Sequence, residues 1–138
     1  MIKFILPLIA VFIATSSLVE AKEDVKYQLS THILDISSGK PAAGVGVKLF
    51  RLNPSSNIWE EIDKGTTDSN GRIADFLPEG KDNFGIYKLN FATLPYFAKK
   101  NMASIYPYVE IVFQIDENTH YHIPLTMSAN GYSTYRGN

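Results

Sequence analysis

Along most of this chain, apolar residues recur at every second position. That period narrows the fold more than any other feature. Side chains alternate across a strand, whereas a helix repeats about every 3.6 residues. From Tyr27 to Asp35, Leu29, Thr31 and Ile33 share one face while Gln28, Ser30 and His32 share the other. Val45, Val47 and Leu49 alternate with Gly46, Lys48 and Phe50. Ile58–Ile62 forms a short run around Trp59, and Gly71–Phe76 is entered through Asp68-Ser69-Asn70-Gly71. Tyr87, Leu89 and Phe91 alternate with Ile86, Lys88 and Asn90; Val109, Ile111, Phe113 and Ile115 alternate with Glu110, Val112 and Gln114. His120–Met127 and Tyr132–Arg136 complete the set. About eight short strands separated by turn signals predict an all-β sandwich. One segment departs from the pattern: Leu94–Asn101 has Pro95 near its start and Asn101 as a stop signal, which predicts one short helix.

The N-terminal segment reads differently. Lys3 precedes the apolar run Phe4–Ala14, and Val19 and Ala21 fit the small-residue positions before a signal-peptidase cut. Residues 1–21 are therefore expected to be a signal peptide, and 22–138 one exported domain. The apolar run is short for a membrane span, so no membrane attachment is expected after cleavage. The chain has no cysteine, which excludes a lipoprotein anchor and any disulfide. A periplasmic domain of this kind is held by packing, and association with further copies is a second route to stability. The formal net charge of −1 and the lack of a basic run exclude the usual footprint of a nucleic-acid or anionic-membrane binder.

Two histidines stand out against the alternation. His32 lies opposite Leu29 and Ile33, and His122 lies with His120 and Thr126 opposite Tyr121, Ile123, Leu125 and Met127. Both imidazoles thus point away from their own core. Solvated surface histidines fit this pattern, and so does a site on the outer face of a sheet. In the second case a neutral imidazole can take a proton from water. Arg72 follows the turn Asp68-Ser69-Asn70-Gly71. It fits an exposed edge residue, or a rigid fork of donors for a polar ligand or a developing oxyanion. The turn resembles the start of a calcium loop, but the later ligands are missing. His-x-His at 120 and 122, with His32 as a third ligand, is the one arrangement with the chemistry of a zinc site. No nucleophile elbow or phosphate loop occurs. Lys48 fits a surface charge and Trp59 a packing residue. The alternation through Tyr132, Thr134 and Arg136 predicts that the C-terminal segment is docked in a sheet.

Several ordered segments together resemble the 5-hydroxyisourate hydrolases, the enzymatic branch of the transthyretin-like family. They are Leu29-Ser30-Thr31-His32-Ile33-Leu34-Asp35 with Gly39-Lys40-Pro41-Ala42, then Thr66-Thr67-Asp68-Ser69-Asn70-Gly71-Arg72, then Tyr106–Phe113. The last are His120-Tyr121-His122-Ile123-Pro124-Leu125 and Gly131–Gly137. The resemblance implies a transthyretin-like sandwich of two four-stranded sheets with one short helix, assembled as a homotetramer with sites in a channel between dimers. It implies catalytic roles for His32, Arg72 and His122, and a pocket wall made by Tyr135, Arg136, Gly137 and Asn138. It implies a small-molecule substrate, 5-hydroxyisourate, opened by water to 2-oxo-4-hydroxy-4-carboxy-5-ureidoimidazoline in urate degradation, with no cofactor and no metal. Asn138 stands where the family usually has serine; it replaces a hydroxyl with a donor and an acceptor. Two other readings remain open. One is a transthyretin-like carrier of a small aromatic molecule without catalysis, a branch that lacks the paired histidines and the Tyr-Arg-Gly segment. The other is a metal binder resting on His120 and His122.

Overall fold

Alternation becomes two facing sheets with their apolar sides together. The computed structural model describes residues 25–138, so the expected signal peptide lies outside the described residues. One sheet has the order β4-β3-β6-β7, built from β3 (Gly46–Asn53), β4 (Ile58–Thr66), β6 (Gly85–Phe91) and β7 (Val109–Ile115). Val47, Leu49, Tyr87, Leu89, Phe91, Val109, Ile111 and Ile115 line its inner side. Strand β4 runs four residues past the expected Ile62, through Asp63, Lys64 and Gly65. It is an edge strand, and its exposed charges discourage pairing with another chain.

The other sheet is built around β1 (Tyr27–Asp35) and consists of six segments. On one edge of β1 lie β5 (Arg72–Pro78) and the two-residue β2 (Lys40–Pro41), both antiparallel to it. On the other lie β8 (Tyr121–His122) and β9 (Leu125–Ser128), both parallel to it and in one unbroken register. Pro124 has no N–H to give the ladder, so one strand line is cut in two at Ile123-Pro124. Strand β10 (Gly131–Thr134) pairs with β9. The six segments thus lie along four strand lines, and the sandwich has the expected four-by-four plan. The C-terminal strand stops at Thr134, two residues before the expected Arg136.

The helix forms as α1 (Thr93–Lys99), with Phe97 buried beneath it. Its anchor is Asp35, a side chain the alternation does not single out. The carboxylate is fully buried at the end of β1. It accepts bonds from Ser37, from the Tyr96 hydroxyl at 2.8 Å and from Lys100 Nζ at 3.2 Å. Burial alone raises a carboxyl pKa, but the donors from Ser37, Tyr96 and Lys100 outweigh it and bring Asp35 down to about 2. A depressed folded-state value stabilises the fold above the unfolded value, near 3.8, and the benefit is lost as pH falls through about 2. Urea unfolding of wild type and Asp35→Asn is therefore expected to differ by a constant amount above pH 5. The gap should narrow by on the order of 2 kcal/mol as the acid is titrated. A gap that does not change with pH would remove this role.

Candidate active site

Strand β1 lies in the middle of the sheet and brings its two neighbours to one outward face. His32 pairs with Arg72 across the antiparallel β1–β5 ladder. Ser30, two residues earlier on the same face, pairs with His122 across the parallel β1–β8 ladder. The fold therefore brings together His32, Arg72 and His122, which lie up to 90 positions apart in the chain. His32 and His122 are half-buried and Arg72 is exposed.

The local chain explains each placement. Asp68 accepts from the N–H groups of Asn70 and Arg72 through one carboxylate oxygen, at 2.8 and 3.0 Å. Gly71 takes φ +71° there, and its carbonyl accepts from Ile33 N–H at 2.8 Å. That turn starts β5 in register, so Arg72 meets His32 rather than Ile33. The Asp68 carboxylate is thus engaged in a turn.

The environment shifts both imidazoles toward the neutral form. Burial lowers the pKa of His32, and the Arg72 guanidinium lowers it further, against a backbone hydrogen bond at Asn70 and the charge of Asp68. Burial also lowers His122, reinforced by Arg72, His32 and His120. Each ring thus favours the free base, the form that accepts a proton, more than an ordinary histidine does.

His120 lies just before β8 on the same face. It does not join His32 and His122 as a metal set. Among the described residues no group of three histidine, cysteine or acidic side chains could hold an ion. Instead Ser30 Oγ lies 2.8 Å from His120 Nε2 and 2.7 Å from His122 Nδ1. Ser30 is a residue the alternation puts on the correct face without marking it. A small hydroxyl between two imidazoles is visible only once β1 and β8 are adjacent.

The segment after β10 closes one side of His122. Gly137 forms a bridge with His122 and donates its N–H to the His122 carbonyl at 2.8 Å. A Cβ at Gly137 would lie 2.5 Å from Cδ2 of the ring, the carbon bonded to Nε2. Gly137→Ala must therefore rotate the imidazole. The expected result is a roughly 10- to 100-fold loss of turnover with an unfolding midpoint close to wild type. Wild-type turnover in that variant would show that the contact does not matter. Arg136 turns the other way within this chain. Its guanidinium stacks 4.5 Å over the Tyr121 ring and pairs with Glu117 at 3.6 Å. Tyr121 is on the buried face, opposite His122. Tyr135 and Asn138 are exposed.

A sequence model of the HIUase/Transthyretin family matches residues 29–137. A probable 5-hydroxyisourate hydrolase of Caenorhabditis elegans is 47% identical over 110 residues, covering 79% of each chain. Among solved structures, the 5-hydroxyisourate hydrolase of Klebsiella pneumoniae is 39% identical with a TM-score of 0.69, covering 80% of this chain and 98% of that one. Sea bream transthyretin, solved with thyroxine, has a TM-score of 0.75 at 28% identity, covering 80% of this chain and 94% of that one.

Proposed function

This chain belongs to the HIUase/Transthyretin family, and from that membership we infer that it is an enzyme that hydrolyses 5-hydroxyisourate. The observation that carries the reading is the outward cluster of His32, Arg72 and His122 in a chain 47% identical to a probable hydrolase of that substrate. Fold similarity does not choose between enzyme and carrier, since the transthyretin superposes at least as well as the hydrolase. The higher identity to the hydrolases and the chemistry of the cluster favour the enzyme.

In this mechanism a neutral histidine takes a proton from water as its oxygen attacks the ring carbonyl. The second histidine positions the substrate or returns the proton. Arg72 holds the negative charge that gathers on the carbonyl oxygen, where a well-placed donor is worth roughly 10²–10³ in rate. The carbon–nitrogen bond then breaks, the nitrogen takes the returned proton, and the ring opens to a carboxylate. The lowered pKa values of His32 and His122 support the neutral form this step needs. Tyr135, Arg136, Gly137 and Asn138 belong to the same proposal as one wall of the pocket, supported for Gly137 by its contact with His122.

The proposal includes a homotetramer and export to the periplasm after removal of residues 1–21. The exposed Tyr108, Val112, Tyr132 and Tyr135 support association, since these rings and branches otherwise meet water. Light scattering of the mature protein and N-terminal sequencing from a periplasmic fraction test these two points. Catalysis is tested by generating 5-hydroxyisourate from urate with urate oxidase and following its ultraviolet decay. Added protein is expected to speed the decay in proportion to its concentration. A decay equal to that in buffer, with the compound nonetheless bound, would establish the carrier instead.

A further inference from the structure

With the imidazole rings in their neutral form, the hydrogen bonds around Ser30 have one consistent direction. His120 Nδ1 lies 3.0 Å from the Tyr27 carbonyl oxygen. A carbonyl only accepts, so Nδ1 carries the proton. Neutral His120 then has a bare Nε2, and this nitrogen lies 2.8 Å from Ser30 Oγ. The hydroxyl has one proton and gives it to His120. Its lone pairs are left facing His122 Nδ1 at 2.7 Å, and only an N–H can satisfy them. His122 therefore carries its proton on Nδ1, and its Nε2 is bare.

We propose that Ser30 and His120 are positioning residues that hold His122 in its Nδ1–H form, with Nε2 presented as the atom that takes the proton from water. The proposal rests on the hydrolase reading above and decides what that reading leaves open, namely which histidine is the base. The Nε2 edge is the one beside Gly137, because the adjacent Cδ2 faces that residue. Free histidine favours the opposite tautomer, so a specific partner at Nδ1 is needed to reverse the preference.

The two residues should not behave alike. Removing Ser30 leaves Nδ1 without a partner and lets the ring return to its ordinary mixture. Removing His120 leaves His122 Nδ1 as the imidazole nitrogen that faces the Ser30 hydroxyl. The hydroxyl then donates to that nitrogen and imposes the unproductive Nε2–H form. The more distant substitution is thus expected to cost at least as much as the nearer one, which simple loss of packing does not predict.

The test combines kinetics with imidazole nitrogen-15 spectra, recorded above the ordinary histidine range so that all rings are neutral. His122→Gln assigns the signals. In wild type and in Ser30→Thr, which keeps the hydroxyl, His122 is expected as the Nδ1–H tautomer with full turnover. In Ser30→Ala, kcat should fall about 10-fold with KM within about twofold, the signature of a base held less often in its productive form. In His120→Phe, kcat should fall by as much or more and the His122 signal should move to Nε2–H. An Nε2–H signal in the wild-type protein would overturn the proposal even if every variant folded poorly. So would wild-type kcat in both Ser30→Ala and His120→Phe. If the wild-type protein showed no hydrolysis at all, the functional reading would fail separately, and the wild-type tautomer would still decide the hydrogen-bond direction.

Discussion

Replacing His122 by alanine is expected to lower kcat by roughly 10²–10⁴-fold, the usual contribution of a positioned general base. The expectation follows from three features of the ring. Burial and the neighbouring Arg72, His32 and His120 lower its pKa and so favour the neutral ring. Ser30 holds its Nδ1, and Gly137 flanks the carbon next to Nε2. The sign of the pH dependence follows from the same environment. The base acts only when unprotonated, and its pKa is lowered from the ordinary 6.5. The acid limb of wild-type kcat/KM should therefore have its midpoint below 6.5, with a slope approaching one on its acid side. His32 is lowered too, so the profile alone does not assign the limb. A His122→Ala variant in which residual activity no longer follows that limb does. Circular dichroism should be unchanged, because His122 packs outside the core. Turnover above half of wild type in this variant would refute the mechanism.

Gly71→Ala is expected to cost roughly 2–4 kcal/mol of folding free energy, from a left-handed backbone and a steric clash acting together. The glycine sits at φ +71°, where a Cβ is disfavoured even in open space. Here the space is closed. The added carbon would lie 2.6 Å from the Ile33 carbonyl oxygen, 3.0 Å from Pro41 Cβ and 3.1 Å from the Ala42 nitrogen. Two of these are backbone atoms that cannot swing aside. Relief requires β5 to draw back from β1, which breaks the bond from Ile33 N–H to Gly71 and carries Arg72 away from His32. Urea unfolding measures the stability change. The folded fraction should also show depressed kcat, because Arg72, the proposed oxyanion donor, is displaced. A variant as stable as wild type would mean the turn can rearrange without loss.

The alternation made much of this legible. Leu29, Thr31 and Ile33 turn inward, and His32 and His122 turn outward, because strand geometry leaves no other choice for consecutive residues. The inward Thr31 is satisfied by donating to the Ile123 carbonyl at 2.7 Å. Gln28 breaks the rule. It belongs to the outward set by count, yet it is buried, its amide donating to the Glu117 and Thr119 carbonyls. Backbone carbonyls from a distant loop decided its environment, and periodicity carries no information about them. The meeting of His32, Arg72 and His122 was equally hidden. It depends on β1 having an antiparallel partner on one edge and a parallel partner on the other, a matter of strand order. Alternation ends β4 early because its later residues carry charge on both faces, as an exposed edge permits. Arg136 fitted a continued strand, but its cationic fork finds the Tyr121 ring and Glu117 instead.

The parallel pairing of β1 with β8 and β9 also has a consequence for how the protein folds. Residues 29–35 find their partners at 121–127, after the whole intervening chain. Contacts so distant in sequence raise contact order and slow folding, because a long loop must close before they repay its entropy. The opposite sheet, with its hairpin neighbours β3 and β4, needs no such closure. His122 and Ser30 come together only when the C-terminal strands dock on β1. Recovery of hydrolysis after dilution from urea should therefore lag behind the burial of Trp59 on β4, and the delay measures the closing of this last seam.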